Sequence, residues 1–484
     1  MEQTASIKKN YILNTANQLM SIIVPLITAP YLARVLTANG IGIQSYTNSI
    51  VTYFTLFAVM GSSSFGQREI AYSRDDKYKM TKSFWNIMAF RGITTIATLV
   101  GYWLFIDTAK QYKIYFLILS INIINVGLDV TWLFQGIEEF TKIVTRSVAV
   151  RLVHCVCIFL FIRTESDLWL YLLMTCGFNA VGYLIMWIYV PRYVGKPTEL
   201  KPFENAKGIF LLFLPTISTQ IYVILDKSMI GWITQSTYQN GCYEQAEKIA
   251  RISLTVVTSI STVVLPRIAN LYKKDKIEEA KSILYQGYRF VFLLSIPMTL
   301  GLITIADIFV PVFFGEGYEM AIPLLRIFGM IMIPISLAHI TGYSYLIPTG
   351  QQNVYTISVT IAACANLVIN IISIPTFGAI GAAVGSVTAE ITGILIQIIF
   401  CLATKQLNAR CIFRGVWKYL FSAIVMALNI RVVALFAHCN IWGLLQMIAV
   451  GVISYITLIV ILRDEFFCNN SKKFLLLFFK KLRR

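Results

Sequence analysis

The chain has 484 residues, 57% hydrophobic and 13% charged, with a formal net charge of +17 and a mean hydropathy of +0.69. Soluble proteins carry about 25% charged residues, so this composition excludes a soluble enzyme and predicts an all-α polytopic membrane protein. The basic residues flank apolar runs rather than forming a free basic tract, which excludes nucleic acid as a partner and favours anionic membrane lipid or an anionic substrate.

Runs of about 20 apolar residues, the length that crosses a bilayer, fall at 11–33, 43–65, 84–106, 113–134, 143–162, 168–190, 209–233, 249–271, 288–313, 320–347, 354–375, 379–403, 416–437 and 441–462. That predicts 14 transmembrane helices. Lys8 and Lys9 precede the first run without a small-residue cleavage site, so it is expected to stay in the membrane. Pro25 and Pro30 interrupt that run and favour a kink, which is tolerated where a helix lines a cavity. With the N-terminus placed inside, the inner segments hold thirty Lys and Arg and the outer ones five, namely Arg34, Lys110, Lys113, Arg163 and Lys248. Positive charge stays inside, so both termini are predicted to be cytoplasmic. The outer loops are short, the longest about 234–248, and have no room for a catalytic domain.

A repeat runs at a constant offset of 199: Gly42 with Gly241, Ile50 with Ile249, Arg68 with Arg267, Lys77 with Lys276 and Lys82 with Lys281. It predicts two duplicated lobes, 1–195 with helices 1–6 and 196–404 with helices 7–12. Such duplication is the usual frame for alternating access about a midplane site. Residues 405–463 would add helices 13 and 14, and 464–484 a basic cytoplasmic tail. Within it, 472–484 reads as an interfacial segment or as a frayed end.

Charges inside spans are costly and rarely idle. Here they are Arg91, Arg151, Lys227, Arg251, Arg326 and Arg431 against Asp129, Asp226, Asp307 and Glu390. Asp226 and Lys227 are neighbours that point about 100° apart on a helix, so each needs a partner elsewhere. Basic residues outnumber acidic ones, so a shared cavity would be net positive and suit phosphate or pyrophosphate, which Arg grips bidentately. Arg91, Arg151 and Arg431 could instead snorkel to an interface. Glu390 is open to two roles, a protonatable coupling group or a partner to a basic residue. Asn14, Asn17, Gln18, Gln44, Asn48, Gln220 and Tyr222 could meet sugar hydroxyls or bond helix to helix. Nine scattered cysteines and three isolated histidines show no metal spacing, and there is no GxxxxGK[ST] loop, so no metal, cofactor or ATP site is expected.

Several blocks carry a family resemblance: Pro25-x4-Pro30-Tyr31-x2-Arg34, Arg68-Glu69-Ile70-Ala71, and Asp129-x2-Trp132-x2-Gln135-Gly136-x-Glu138-Glu139-Phe140. Further on come Gln220-x-Tyr222, Asp226-Lys227-x3-Gly231-Trp232, Tyr243-x2-Ala246-Glu247-Lys248-Ile249 and Leu265-Pro266-Arg267. Together they resemble the Wzx-type polysaccharide flippases of the MOP exporter superfamily. The resemblance implies a MATE-like two-lobed bundle of six plus six helices with two more at the C-terminus, and no enzyme. It implies an undecaprenyl-pyrophosphate-linked oligosaccharide as cargo for O-antigen or capsule, moved from the inner to the outer leaflet of the bacterial cytoplasmic membrane. A coupling ion, H+ or Na+, and other polysaccharide-assembly proteins come with it as partners. Related lipid II flippases need basic cavity residues at positions matching Arg34 and Lys248. Lys227, Arg251, Arg91, Arg151 and Arg326 complete the expected cationic cavity. Asp129, Asp226, Glu390, Asn48, Gln220 and Tyr222 are its polar or coupling members. A cation antiporter of the same superfamily is the alternative, and it would lean on Asp129.

Overall fold

The computed structural model describes the backbone of residues 2–108, 111–197 and 199–468, and the side chains of that range apart from 2–16, 214–219, 221–223 and 262–263. Among the described residues there is helix and no strand, as hydrocarbon demands, because it offers backbone N–H and C=O groups no partner. The order is α1 (Glu2–Val59), α2 (Ser62–Ser73), α3 (Lys77–Thr108), α4 (Lys113–Leu128), α5 (Thr131–Gly136), α6 (Phe140–Phe161), α7 (Leu168–Tyr189) and α8 (Ala206–Thr234). There follow α9 (Thr237–Lys273), α10 (Ile277–Phe314), α11 (Ala321–Ala338), α12 (Gln352–Phe377), α13 (Ala379–Ala403), α14 (Ala409–Ile412), α15 (Val416–Ala434) and α16 (Ile441–Ile461). Among the described residues, twelve stretches are long and apolar enough to cross a membrane. One of them, Asn17–Ser73, runs over two of the predicted spans, and the predicted span 209–233 includes side chains outside the described set.

Three breaks interrupt the helices, the first in the gap predicted between spans 11–33 and 43–65 and the other two inside predicted spans. Inside α1, Thr37 is non-helical (φ 60°, ψ 174°), a strained setting for a β-branched residue. Its Oγ1 donates to Glu165 Oε1 at 2.9 Å, and nearby Tyr31 Oη donates to Ile162 O at 2.6 Å. The turn between α6 and α7 thus pins the break. In that turn Asp167 accepts from the backbone N–H groups of Arg163 and Thr164, which hold its carboxyl below the usual carboxylate range. The predicted second span ends early, at Val59, because Met60 and Gly61 take positive φ and start α2 afresh. The predicted fourth span ends at Leu128, where Asp129 is extended and α5 begins two residues later. In addition, α11 runs on as a π-helix over His339–Leu346.

The chain forms two compact units, Met1–Gly241 and Cys242–Arg484. In the first, α1 packs on α3, α4, α6 and α8, while α2 packs on α3, α5 and α8. Its core is two apolar clusters. One is centred on Leu36, Tyr102, Ile123 and Ile162, the other on Phe84, Trp132, Leu133 and Met186. Between helices already in lipid, such clusters are held by dispersion and hydrogen bonding rather than by release of water. Buried polar tips therefore find backbone acceptors: Tyr102 Oη donates to Phe116 O at 2.8 Å and Trp187 Nε1 to Leu128 O at 2.8 Å. In the second unit α10 packs on α11, α15 and α16, and α13 on α11 and α12. There Tyr455 Oη donates to Leu293 O at 2.8 Å.

Some elements begin near positions matched at the 199-residue offset. The second half of α1 begins after Thr37, and α9 begins at Thr237; α3 begins at Lys77, and α10 just after Lys276. The matched pair Gly42 and Gly241 meet each other. A Cβ on Gly42 would lie 1.7 Å from Thr237 O, and one on Gly241 would lie 1.9 Å from Ala38 O. Ala38 and Thr237 are themselves matched at the same offset, so the crossing is reciprocal, as a local two-fold axis would make it. Only glycine allows backbones this close.

Candidate functional site

The two most distinctive sequence blocks of the first half form one corner. Arg91 on α3 is wholly buried. Its Nε donates to Ser62 Oγ at 2.8 Å, Nη2 to Ser63 Oγ at 2.6 Å and Nη1 to Asp129 O at 2.5 Å. Its guanidinium lies 5.8 Å from the Trp132 ring, which stacks on Phe84. One carboxylate oxygen of Asp129 is held locally: Oδ1 accepts from the backbone N–H of Thr131 at 2.8 Å and from the Thr131 hydroxyl. Its carbonyl also takes the Trp132 indole at 3.0 Å. Gly136 of the same block lies against Ile70 of α2, with a Cβ there only 2.7 Å from Ile70 Cγ2, and Glu138 Oε1 accepts from Arg74 at 3.2 Å. The Asp-x2-Trp and Arg-Glu-Ile-Ala blocks are thus one packed bend, and Arg91 faces protein rather than a cavity.

The other predicted cations are spread through both units. In the first, Arg34 is exposed just before the Thr37 break and Lys227 is half-buried on α8. Lys227 O accepts from Asn240 Nδ2 at 2.9 Å. Its neighbour Asp226 is buried at 5% exposure. Half-buried Arg151 donates to Asn17 O and Oδ1 at 3.2 and 3.1 Å. In the second unit, Lys248 is half-buried and Arg251 exposed on α9. Arg251 Nη2 lies 2.6 Å from Glu247 Oε1, one helical turn back. Arg326 and Arg431 converge on one carboxylate, with Asp307 2.5 Å from Arg326 Nη2 and 3.4 Å from Arg431 Nη1. Glu390 is half-buried on α13. Gln220 is exposed on α8, whereas the side chains of Asn14 and Tyr222 and the tail 472–484 lie outside the described residues.

Sequence reasoning named Asn48 but missed the rest of a polar cavity that gathers side chains from three helices. A cavity of about 190 Å³ in the first unit is lined by Asn48, Thr52 and Thr55 of α1, Asn122 and Asn125 of α4, and Asn179 and Tyr183 of α7, with Val51 and Val126. On α4 and α7 these residues fall where the first apolar cluster gives way to the second, so the cavity sits toward the middle of those two helices. Arg146, read from sequence as an inner-segment charge, does not line the cavity but packs from α6 with its guanidinium 5.5 Å from the Tyr183 ring. The available signal was spacing: Asn122 and Asn125 three apart and Asn179 and Tyr183 four apart each put two polar groups on one helix face. Polar residues so placed inside a span are functional candidates by default. Glu247 was missed for the same reason, its i,i+4 relation to Arg251 being legible. The second unit holds a larger cavity of about 490 Å³ between α10, α15 and α16, lined chiefly by Leu, Ile, Val and Met.

Comparison with known proteins places this architecture. Residues 7–272 match the family model described as polysaccharide biosynthesis protein, and residues 145–460 match the model described as lipid II flippase MurJ. An Escherichia coli (strain K12) protein named "Putative O-antigen transporter" is 23% identical over 410 residues, which is 83% of this chain and 98% of that relative. A solved structure titled "Lipid II flippase MurJ, inward closed conformation" superposes with a TM-score of 0.74 at 17% identity, over 93% of this chain and 98% of that one. An inward-facing multidrug resistance MATE family transporter of the MOP superfamily gives a TM-score of 0.58 at 14% identity, over 80% and 100%. At such identities the two structures establish the fold alone. The family models cover more than half the chain each, and on that ground the chain belongs to the polysaccharide biosynthesis protein family, the Wzx-type flippases of the MOP superfamily.

Proposed function

We propose that this membrane protein flips an undecaprenyl-pyrophosphate-linked oligosaccharide repeat unit from the inner to the outer leaflet of the bacterial cytoplasmic membrane. It does so by alternating access. In this reading fourteen helices cross the bilayer with both termini inside. Residues 1–195 and 196–404 are duplicated six-helix lobes, 405–463 add two helices, and 464–484 are the cytoplasmic tail. The observation that carries the reading is a family match over both halves of a chain whose spans hold a surplus of partly exposed cations. A charged, hydroxyl-rich head group must cross about 30 Å of hydrocarbon. Cations such as Arg34 and Lys248 lower that cost for the pyrophosphate, while the prenyl chain stays in lipid. A cation antiporter is the poorer reading, because basic residues outnumber acidic ones in the spans and Asp129, the acid it would use, already has one carboxylate oxygen on Thr131.

The test is to replace Arg34 and Lys248 separately by Ala. Each variant is expected to lower surface polysaccharide at least tenfold and to leave undecaprenyl-linked units accumulating on the cytoplasmic side, measured by lipid extraction. Normal export by both variants at wild-type protein levels would show that the cationic path is wrong.

A further inference from the structure

We propose that the polar cavity of the first unit is a subsite for one sugar ring of the cargo; this rests on the flippase reading and adds to it where the glycan is recognised. The seven hydrogen-bonding residues that line the cavity are all uncharged. It therefore cannot neutralise a pyrophosphate. A resident cation fits no better: no carboxylate lines the cavity, and the described residues contain no group of three His, Cys, Asp or Glu that could hold a metal. What amides, hydroxyls and a phenol do offer is donors and acceptors in equal supply. Sugar hydroxyls, each both donor and acceptor, need that pairing.

One atom at the floor points to a missing ligand. Asn125 is 2% exposed. Its Nδ2 is spent on Cys176 O at 2.9 Å, while its buried Oδ1 has no partner in the protein. An unsatisfied acceptor at that depth costs about 1–3 kcal/mol, and a small shift of this lining residue would let a bound hydroxyl meet it. The mouth is formed by Asn48 and Asn179, both exposed, so polarity runs from the opening to the floor. The volume of about 190 Å³ equals the share of roughly six waters at about 30 Å³ each. That is the scale of one hexose ring and too small for an oligosaccharide. Val51, Val126 and the Tyr183 ring, the last held by Arg146, give the C–H face of a sugar something to pack on.

The experiment uses the purified full-length chain in lipid nanodiscs and two probes. One is the lipid-linked glycan extracted from the strain of origin after deletion of this chain; the other is bare undecaprenyl pyrophosphate. Wild-type protein is expected to bind the glycan form at least tenfold more tightly. Asn125→Leu, and separately Asn48→Ala with Asn179→Ala at the exposed mouth, should each weaken glycan binding about tenfold and leave the bare carrier within twofold. The mouth variant touches no buried contact, so it tests the subsite even where Asn125→Leu fails to fold. Equal loss for both probes, or unchanged binding of the glycan, overturns the subsite. So does a loss that appears only as altered Na+ dependence, which would make the cavity a cation site. Binding of neither probe by the wild type sinks the flippase reading instead.

Discussion

The two units solve the same problem, polarity inside a bilayer, in opposite ways. The first seals one arginine and gathers its amides: Arg91 is held among two serines and a carbonyl, and a polar cavity lies between α1, α4 and α7. The second leaves its ion cluster open, with Arg326, Asp307 and Arg431 side chains 37%, 43% and 55% exposed. Its large cavity is apolar. Matched positions along the sequence therefore do not imply matched chemistry. Hydroxyl-recognising partners are gathered in the cavity of the first unit, and the 490 Å³ cavity of the second offers a head group almost nothing to bond.

The comparison can be broken most sharply at its arginines. Arg91→Met is expected to cost about 3 kcal/mol or more, because it strands buried hydroxyls and a carbonyl that were hydrogen-bonded to a charge. Thermal unfolding in detergent measures it. A well-folded Arg91→Met variant that has lost export alone would return Arg91 to the cavity. Next in size is Gly42→Val, whose Cβ would sit 1.7 Å from Thr237 O. Overpacking of this kind costs about 1–3 kcal/mol, and Gly241→Val should match it if the crossing is truly reciprocal. Unequal losses from the two would count against the local two-fold. The smallest effect is expected in the second unit: Arg431→Gln should shift stability by less than about 1 kcal/mol, since an exposed ion pair is screened. A loss there as large as that of Arg91→Met would erase the contrast between the units.

Much of the fold was legible because hydrocarbon is a demanding solvent. Apolar length located the spans. The 199-residue offset picked out Gly42 and Gly241, which lie against each other. The break at Thr37 falls in a predicted gap, but its pinning by Glu165 across 128 residues was not legible, nor were the breaks inside predicted spans at Met60–Gly61 and at Asp129, whose carbonyl meets the remote Arg91. The same holds for the candidate site. Arg91 and Arg151 look alike in sequence, each an arginine a few residues inside a span. One is sealed by Ser62, Ser63 and Asp129, while the other stays half-exposed beside Asn17.

By itself the sequence determined that this is a helical, multi-pass membrane protein with a surplus of cations at its spans, because hydropathy and charge act residue by residue. Only the tertiary structure decided which polar groups share a space. The cavity of Asn48, Asn122, Asn125, Asn179 and Tyr183 is drawn from three helices more than 50 residues apart at the extremes. No local pattern joins them; the packing of α1, α4 and α7 does.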